Sequence, residues 1–225
     1  MGLALASVYF GNSTLARLQD QTPSRSLGTT SSGHLVNGKR LPTTGSNFRA
    51  YSRLGALLGR NTVHSAVRMT ILDAYAALDS TDPARVWVYG ETGWPHGGPF
   101  WPHRTHENGL SADFMMPVQG PEGRPALFPT SPFSRFGYDL EFDTQGHLGS
   151  LQVSFEAVAR HLLALQQAAG RHGLAIDRVI IAPEYQPLLF ATPTGRRLAG
   201  LPFMKAPAWV RHDEHYHIDF RVTEG

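Results

Sequence analysis

Cysteine is absent from the 225 residues of this chain. Disulfides and thiolate zinc sites are therefore excluded, and any bound metal must rest on His, Asp, Glu or water. No apolar run is long enough to cross a bilayer as a helix, so no membrane span is expected. A concentrated basic stripe is missing too. The formal net charge is +2 and the Lys and Arg residues are scattered, whereas nucleic-acid binding needs a basic face. No nucleic-acid partner is expected.

With 41% hydrophobic residues the chain can bury a core, and its length suits a single domain over 1–225. Gly 23 and Pro 16 gather outside a few strongly periodic segments. The stretch up to about residue 62 reads as a loop-rich arm, with Ser, Thr, Gly, Asn and Arg dominating residues 20–62. At the amino terminus, Met1 to Phe10 is mostly apolar, and Ala4-Leu5-Ala6 has the small-x-small form of a cleavage site. Either the remnant of an export signal or a first strand accounts for it.

Periodicity predicts a helix over Val63 to Leu78, stopped by Asp79, Ser80 and Asp82-Pro83, and a second over Val153 to Gly170. Alternation predicts strands over Arg85 to Tyr89, Gly109 to Met116, Arg178 to Ala182 and His215 to Val222. In the second of these, Ser111, Asp113 and Met115 share one face. Long irregular loops fill residues 90–108 and 117–150, and such loops tend to carry function. The expected class is α+β: a small central antiparallel sheet flanked by two main helices and long loops.

Six of the eleven histidines fall in two short segments: His96, His103 and His106, then His212, His215 and His217. Isolated histidines (His34, His64, His147, His161 and His172) read as surface or satisfied core residues. Clustering is what points to chemistry. His106 precedes a predicted strand, where a turn around Gly109 can bring it back toward Asp113. Residues two apart on a strand face one side, so His215 and His217 project together. Two imidazoles and one carboxylate, with a position left for water, make the arrangement of a catalytic zinc. Trp94, Phe100 and Trp101 either line a substrate cleft or pack their loop. Asp219 reads as a strand-end carboxylate able to orient a ligand His, and Arg104 and Glu107 read as solvated.

His-x6-Asp followed by a distant His-x-His strand resembles the metallopeptidases that group lysostaphin, the D-Ala-D-Ala carboxypeptidases and the hedgehog amino-terminal domain. Within that group the chain is most similar to the penicillin-insensitive murein endopeptidases. The shared motifs are Gly97-Gly98-Pro99-Phe100, His103 to Asp113, and His212-x-x-His215-x-His217, with Ser26-Leu27-Gly28 and Leu41-Pro42 resembling the arm. The likeness runs from about residue 24 to 222. It implies that His106, Asp113 and His217 hold Zn2+, that His215 is a non-ligand histidine acting on the reacting groups, and that His103 and His212 lie on the substrate side. It also implies a protein exported to the periplasm or cell wall that hydrolyses D-Ala-containing peptidoglycan cross-links with zinc-activated water.

Three departures from the family pattern stand out. Ser111 replaces an acid two residues before Asp113, and the family's disulfide cysteines are missing. Glu214 sits three residues before His217, where D-Ala-D-Ala dipeptidases and carboxypeptidases place their catalytic Glu. A D-Ala-D-Ala carboxypeptidase or dipeptidase, and a non-catalytic zinc-containing cell-wall-binding module, are thus the alternatives. Strand alternation turns Glu214 away from His215 and His217, which favours His215 as the base.

Overall fold

A computed structural model describes residues 2–206 and 208–223, with side chains from residue 10 onward. Its centre is a five-stranded sheet in the order Leu174–Ile180, His215–Val222, Ser111–Met115, Trp87–Tyr89, Phe48–Ala50. Each of the first four strands runs antiparallel to its neighbour, as expected. The edge departs from that expectation, because Phe48–Ala50 joins Trp87–Tyr89 in parallel.

The register of the two middle strands decides the architecture. His217 lies opposite Asp113, Asp219 opposite Ser111 and His215 opposite Met115. Cross-strand partners share a face and sit close enough to interact. One face therefore gathers Ser111, Asp113, His215, His217 and Asp219. The other carries Ala112, Phe114, Tyr216, Ile218 and Phe220, all part of the hydrophobic core.

Two helices cover that apolar face and pack on each other. The first, Ser65–Asp79, buries Val67, Ile71, Ala74, Tyr75 and Leu78 at helical spacing. Its start is fixed by His64, whose Nδ1 accepts from the Ala66 amide at 3.1 Å. The second, Phe155–Arg171, buries Val158, Leu162, Leu165 and Ala169, with Glu156 in its first turn favouring the helix dipole. Burying each Leu, Ile or Val of these stripes contributes about 1.5–3 kcal/mol.

The arm differs from a loop-rich strap. It contains the helices Gly2–Leu18 and Arg53–Leu58, the hairpin Arg25–Thr29 with Ser32–Val36, and the sheet edge Phe48–Ala50. The reading of the amino terminus as a first strand is corrected by the helix Gly2–Leu18. Ala and Leu are strong helix formers, and the helix is anchored by buried Asn12, whose Nδ2 donates to the Leu41 carbonyl and Thr43 Oγ1.

His161 is buried in the core, stacked between Tyr75 and Trp87 and hydrogen-bonded to the Tyr216 hydroxyl. Burial pushes its pKa down to about 3. The folded protein thus keeps His161 neutral while the unfolded chain protonates near 6.5. This contribution to stability is complete above about pH 6.5 and is lost as pH falls toward 3, amounting to a few kcal/mol as an order of magnitude. Urea unfolding of His161→Phe from pH 7 to 4 is expected to show a shallower loss of stability than the unsubstituted protein. Parallel slopes would refute the assignment.

Candidate metal centre

The polar face of the sheet forms the floor of a cleft of about 1260 Å³. His103, His212, Glu214, His215 and His217 line it, while His106 and Asp113 are fully buried. The sequence-predicted residues are thus brought together, although they come from two strands and two loops.

His106 sits in the loop before Ser111–Met115 with a left-handed backbone, φ 72°. A non-glycine residue there is uncommon and persists only where its surroundings hold it. They do so here. Its amide donates to Ser111 Oγ at 3.3 Å, and its Nδ1 donates to the Thr92 carbonyl at 3.1 Å. Gly109, φ 76°, makes the turn that follows, where a Cβ would meet Leu35 and the His64 amide. Because Nδ1 carries the proton, Nε2 presents a lone pair. It lies 3.2 Å from Asp113 Oδ1, is buried, and makes no hydrogen bond.

Asp113 is the hub. Its Oδ1 is 2.9 Å from His217 Nδ1, and its Oδ2 accepts from the Tyr138 hydroxyl at 3.0 Å. His215 Nε2 and His103 Nδ1 each lie 3.8 Å from Oδ2. Burial would raise the Asp113 pKa, yet His106, His215 and His217 hold it well below the usual carboxylate range. On the far side of His217, Nε2 is 2.8 Å from Asp219 Oδ1, which also accepts from Ser111 Oγ at 2.6 Å. Burial disfavours the His217 cation, but Asp219 and Asp113 outweigh it and raise the pKa to about 10. Ser111 therefore serves to fix Asp219.

The donor set suits a divalent cation. A buried imidazole lone pair without a partner is costly, and a metal ion satisfies it. One triad among the described residues has its donor atoms gathered closely enough for a shared ion. Ring nitrogens of His103 and His106 and an Asp113 oxygen lie within 4.8 Å of one another. His217 lies beside that group, its Nδ1 2.9 Å from Asp113 Oδ1 and its ring centre 4.8 Å from that of His106.

Glu214 does not point away from the histidines as alternation predicts. It precedes the first residue of the strand His215–Val222, and its Oε1 accepts from His215 Nδ1 at 2.7 Å. Burial alone would lower the pKa of His215, but Glu214 and Asp113 leave it raised. His212, also with a left-handed backbone (φ 58°), donates from Nδ1 to the Val210 carbonyl, and its ring is 4.6 Å from that of His215.

Sequence reasoning missed Glu91 and Tyr138. Glu91 Oε2 is 2.6 Å from His103 Nε2, and the carboxylate also accepts from Tyr51 and Arg60. Burial pushes its pKa up, yet His103 and Arg60 hold it at about 2. The Glu91 amide donates to the Tyr138 hydroxyl at 2.7 Å, which links this network to Asp113. The only available signal for Glu91 was its position just past the strand Trp87–Tyr89. Trp94 and Phe100 pack behind the histidines, ring against ring, and Trp101 faces the cleft. Glu107 accepts from the Gly33 amide at 3.2 Å rather than being simply solvated.

A family model described as penicillin-insensitive murein endopeptidase matches residues 26–225. No curated protein matches the chain.

Proposed function

The chain belongs to the penicillin-insensitive murein endopeptidases, and on that premise we propose that it is a zinc-dependent D,D-endopeptidase exported to the cell wall, hydrolysing D-Ala-containing peptide cross-links of peptidoglycan. The observation that carries the zinc reading is the buried, unpartnered Nε2 of His106 aimed at Asp113. Two nitrogens and one oxygen suit zinc among the divalent ions.

His106 Nε2, Asp113 and His217 Nδ1 are the proposed ligands. His217 is favoured over His103 by its closer approach to Asp113, 2.9 Å against 3.8 Å, and by its deeper burial. Asp219 on its other nitrogen supports it as outer partners of ligand histidines do. Zinc held there supplies Lewis acidity, polarising a peptide carbonyl and acidifying water. His215 Nε2, beside Asp113 and open to the cleft, takes the proton of the attacking water and returns it to the leaving amine. Glu214 holds His215 Nδ1 and stabilises the imidazolium. His103, oriented by Glu91, and His212 face the substrate.

His103→Ala is expected to retain one zinc per chain and His217→Ala to lose it, as read by elemental analysis of the dialysed proteins. The opposite pattern would reassign the third ligand to His103.

A D-Ala-D-Ala carboxypeptidase with the same centre is the second reading, favoured by Glu214 standing on the cleft wall. Digestion of purified muropeptides separates the two. Loss of cross-linked dimers without free D-Ala is expected, and release of D-Ala from monomeric pentapeptides would establish the carboxypeptidase. Unchanged peptidoglycan with the zinc-loaded protein would leave a binding module.

A further inference from the structure

Five arginines line the cleft: Arg60, Arg104, Arg135, Arg178 and Arg211. Four of them have acidic partners. Arg60 pairs with Glu91, Arg135 with Asp139, Arg178 with Asp219, and Arg211 with Glu184 and Asp213. Among the described residues Arg104 has no carboxylate within ion-pair distance. Its guanidinium lies 5.6 Å from the centre of the Trp209 ring, at the solvent edge of the cleft. The acids on the cleft wall each have a basic partner, Glu141 and Asp213 sharing Arg211, so Arg104 is the lining arginine left without a carboxylate among the described residues.

Its place over the Trp209 ring distinguishes Arg104 from an ordinary solvated arginine. A guanidinium over an aromatic face is held by cation–π attraction, while its N–H edge stays free to bind a carboxylate with two parallel hydrogen bonds. Trp209 is 51% exposed, so the platform is open to a ligand. The loop beneath Arg104 is also fixed. The His103 amide donates to the Phe100 carbonyl at 2.8 Å, the Gly98 amide to the Glu107 carbonyl at 2.8 Å, and the Glu107 amide to the Thr30 carbonyl at 3.0 Å. Arg104 lines the same cleft as His103, His212, His215 and His217, so a group held there shares the cleft with the centre.

We infer that Arg104, held over Trp209, receives a free carboxylate of the peptidoglycan stem peptide next to the bond that is cut. This inference rests on the murein-peptidase reading for the identity of its ligand. It makes the cleft selective for stems whose carboxylates are free over those in which they are amidated.

The test is a binding titration that needs no turnover. Tetrapeptide stem monomers, as the free acid or the amide, are added to the zinc-loaded protein and binding is followed by tryptophan fluorescence and by calorimetry. The free acid is expected to bind about tenfold more tightly than the amide, the scale of a charge-assisted hydrogen-bond pair. In Arg104→Gln the two affinities are expected to converge, and Arg104→Lys should restore only part of the preference. Equal affinities in the unsubstituted protein overturn the proposal. So does a preference that survives in Arg104→Gln, or a loss that falls equally on acid and amide, as a purely packing role would give. Cleavage of cross-linked dimers by the same preparation is scored separately. Cleavage without acid preference sinks only the carboxylate site, whereas preference without cleavage sinks only the endopeptidase reading.

Discussion

Asp113→Ala is expected to yield a protein that carries no zinc after dialysis and releases nothing from cross-linked peptidoglycan. Asp113 contacts every proposed member of the centre, with His217 Nδ1 at 2.9 Å, His106 Nε2 at 3.2 Å and the Tyr138 hydroxyl at 3.0 Å. Structural zinc sites are worth about 10–16 kcal/mol spread over a few ligands, so deleting one should weaken zinc on the order of 10³-fold or more. Asp113→Asn is the sharper variant. It keeps the side-chain shape and an acceptor for Tyr138, so folding is preserved while the negative charge is lost. His106→Ala should behave as Asp113→Ala does, because it removes the orphaned nitrogen itself. Zinc content measured beside far-ultraviolet circular dichroism checks both. Stoichiometric zinc in folded Asp113→Ala and His106→Ala would sink the ligand assignment.

The sequence made this centre legible because strand periodicity acts over short range. The last strand was read with its observed bounds, His215–Val222, and the shared face of Ser111 and Asp113 followed from alternation alone. What alternation cannot give is register, and it is register that sets His217 against Asp113 and Ser111 against Asp219. The strand Leu174–Ile180 was half read, as Arg178 to Ala182, because a register shift between Ile176 and Arg178 breaks its alternation. The helix Tyr185–Ala191 is too short for a periodic stripe and has Pro187 in its first turn, so nothing announced it. Glu91 and Tyr138 were invisible for a different reason. They lie on loops that tertiary packing brings to Asp113, and no local pattern encodes that approach. Glu214 shows the limit of the face rule itself, since it holds only inside a strand and Glu214 stands just before one.

His215→Ala is expected to keep stoichiometric zinc and to lose about 10²–10⁴-fold in kcat, the range of a general base. The contrast with Asp113→Ala separates the group that moves a proton from the groups that would hold the metal. Glu214 is the competitor for the role, and Glu214→Gln decides between them. Gln can still accept from His215 Nδ1, so ring orientation is retained while the carboxylate's support of the imidazolium is removed. If His215 is the base, Glu214→Gln must lose less activity than His215→Ala; if Glu214 is the base, it must lose at least as much. The pH profile adds a sign. Burial lowers the pKa of His215 and Glu214 raises it, with the raising effect prevailing. Removing that carboxylate lets the pKa fall, so the ring remains a neutral acceptor at lower pH. The acid limb of kcat/KM should therefore move to lower pH in Glu214→Gln, whereas a Glu214 base would leave no such limb to move.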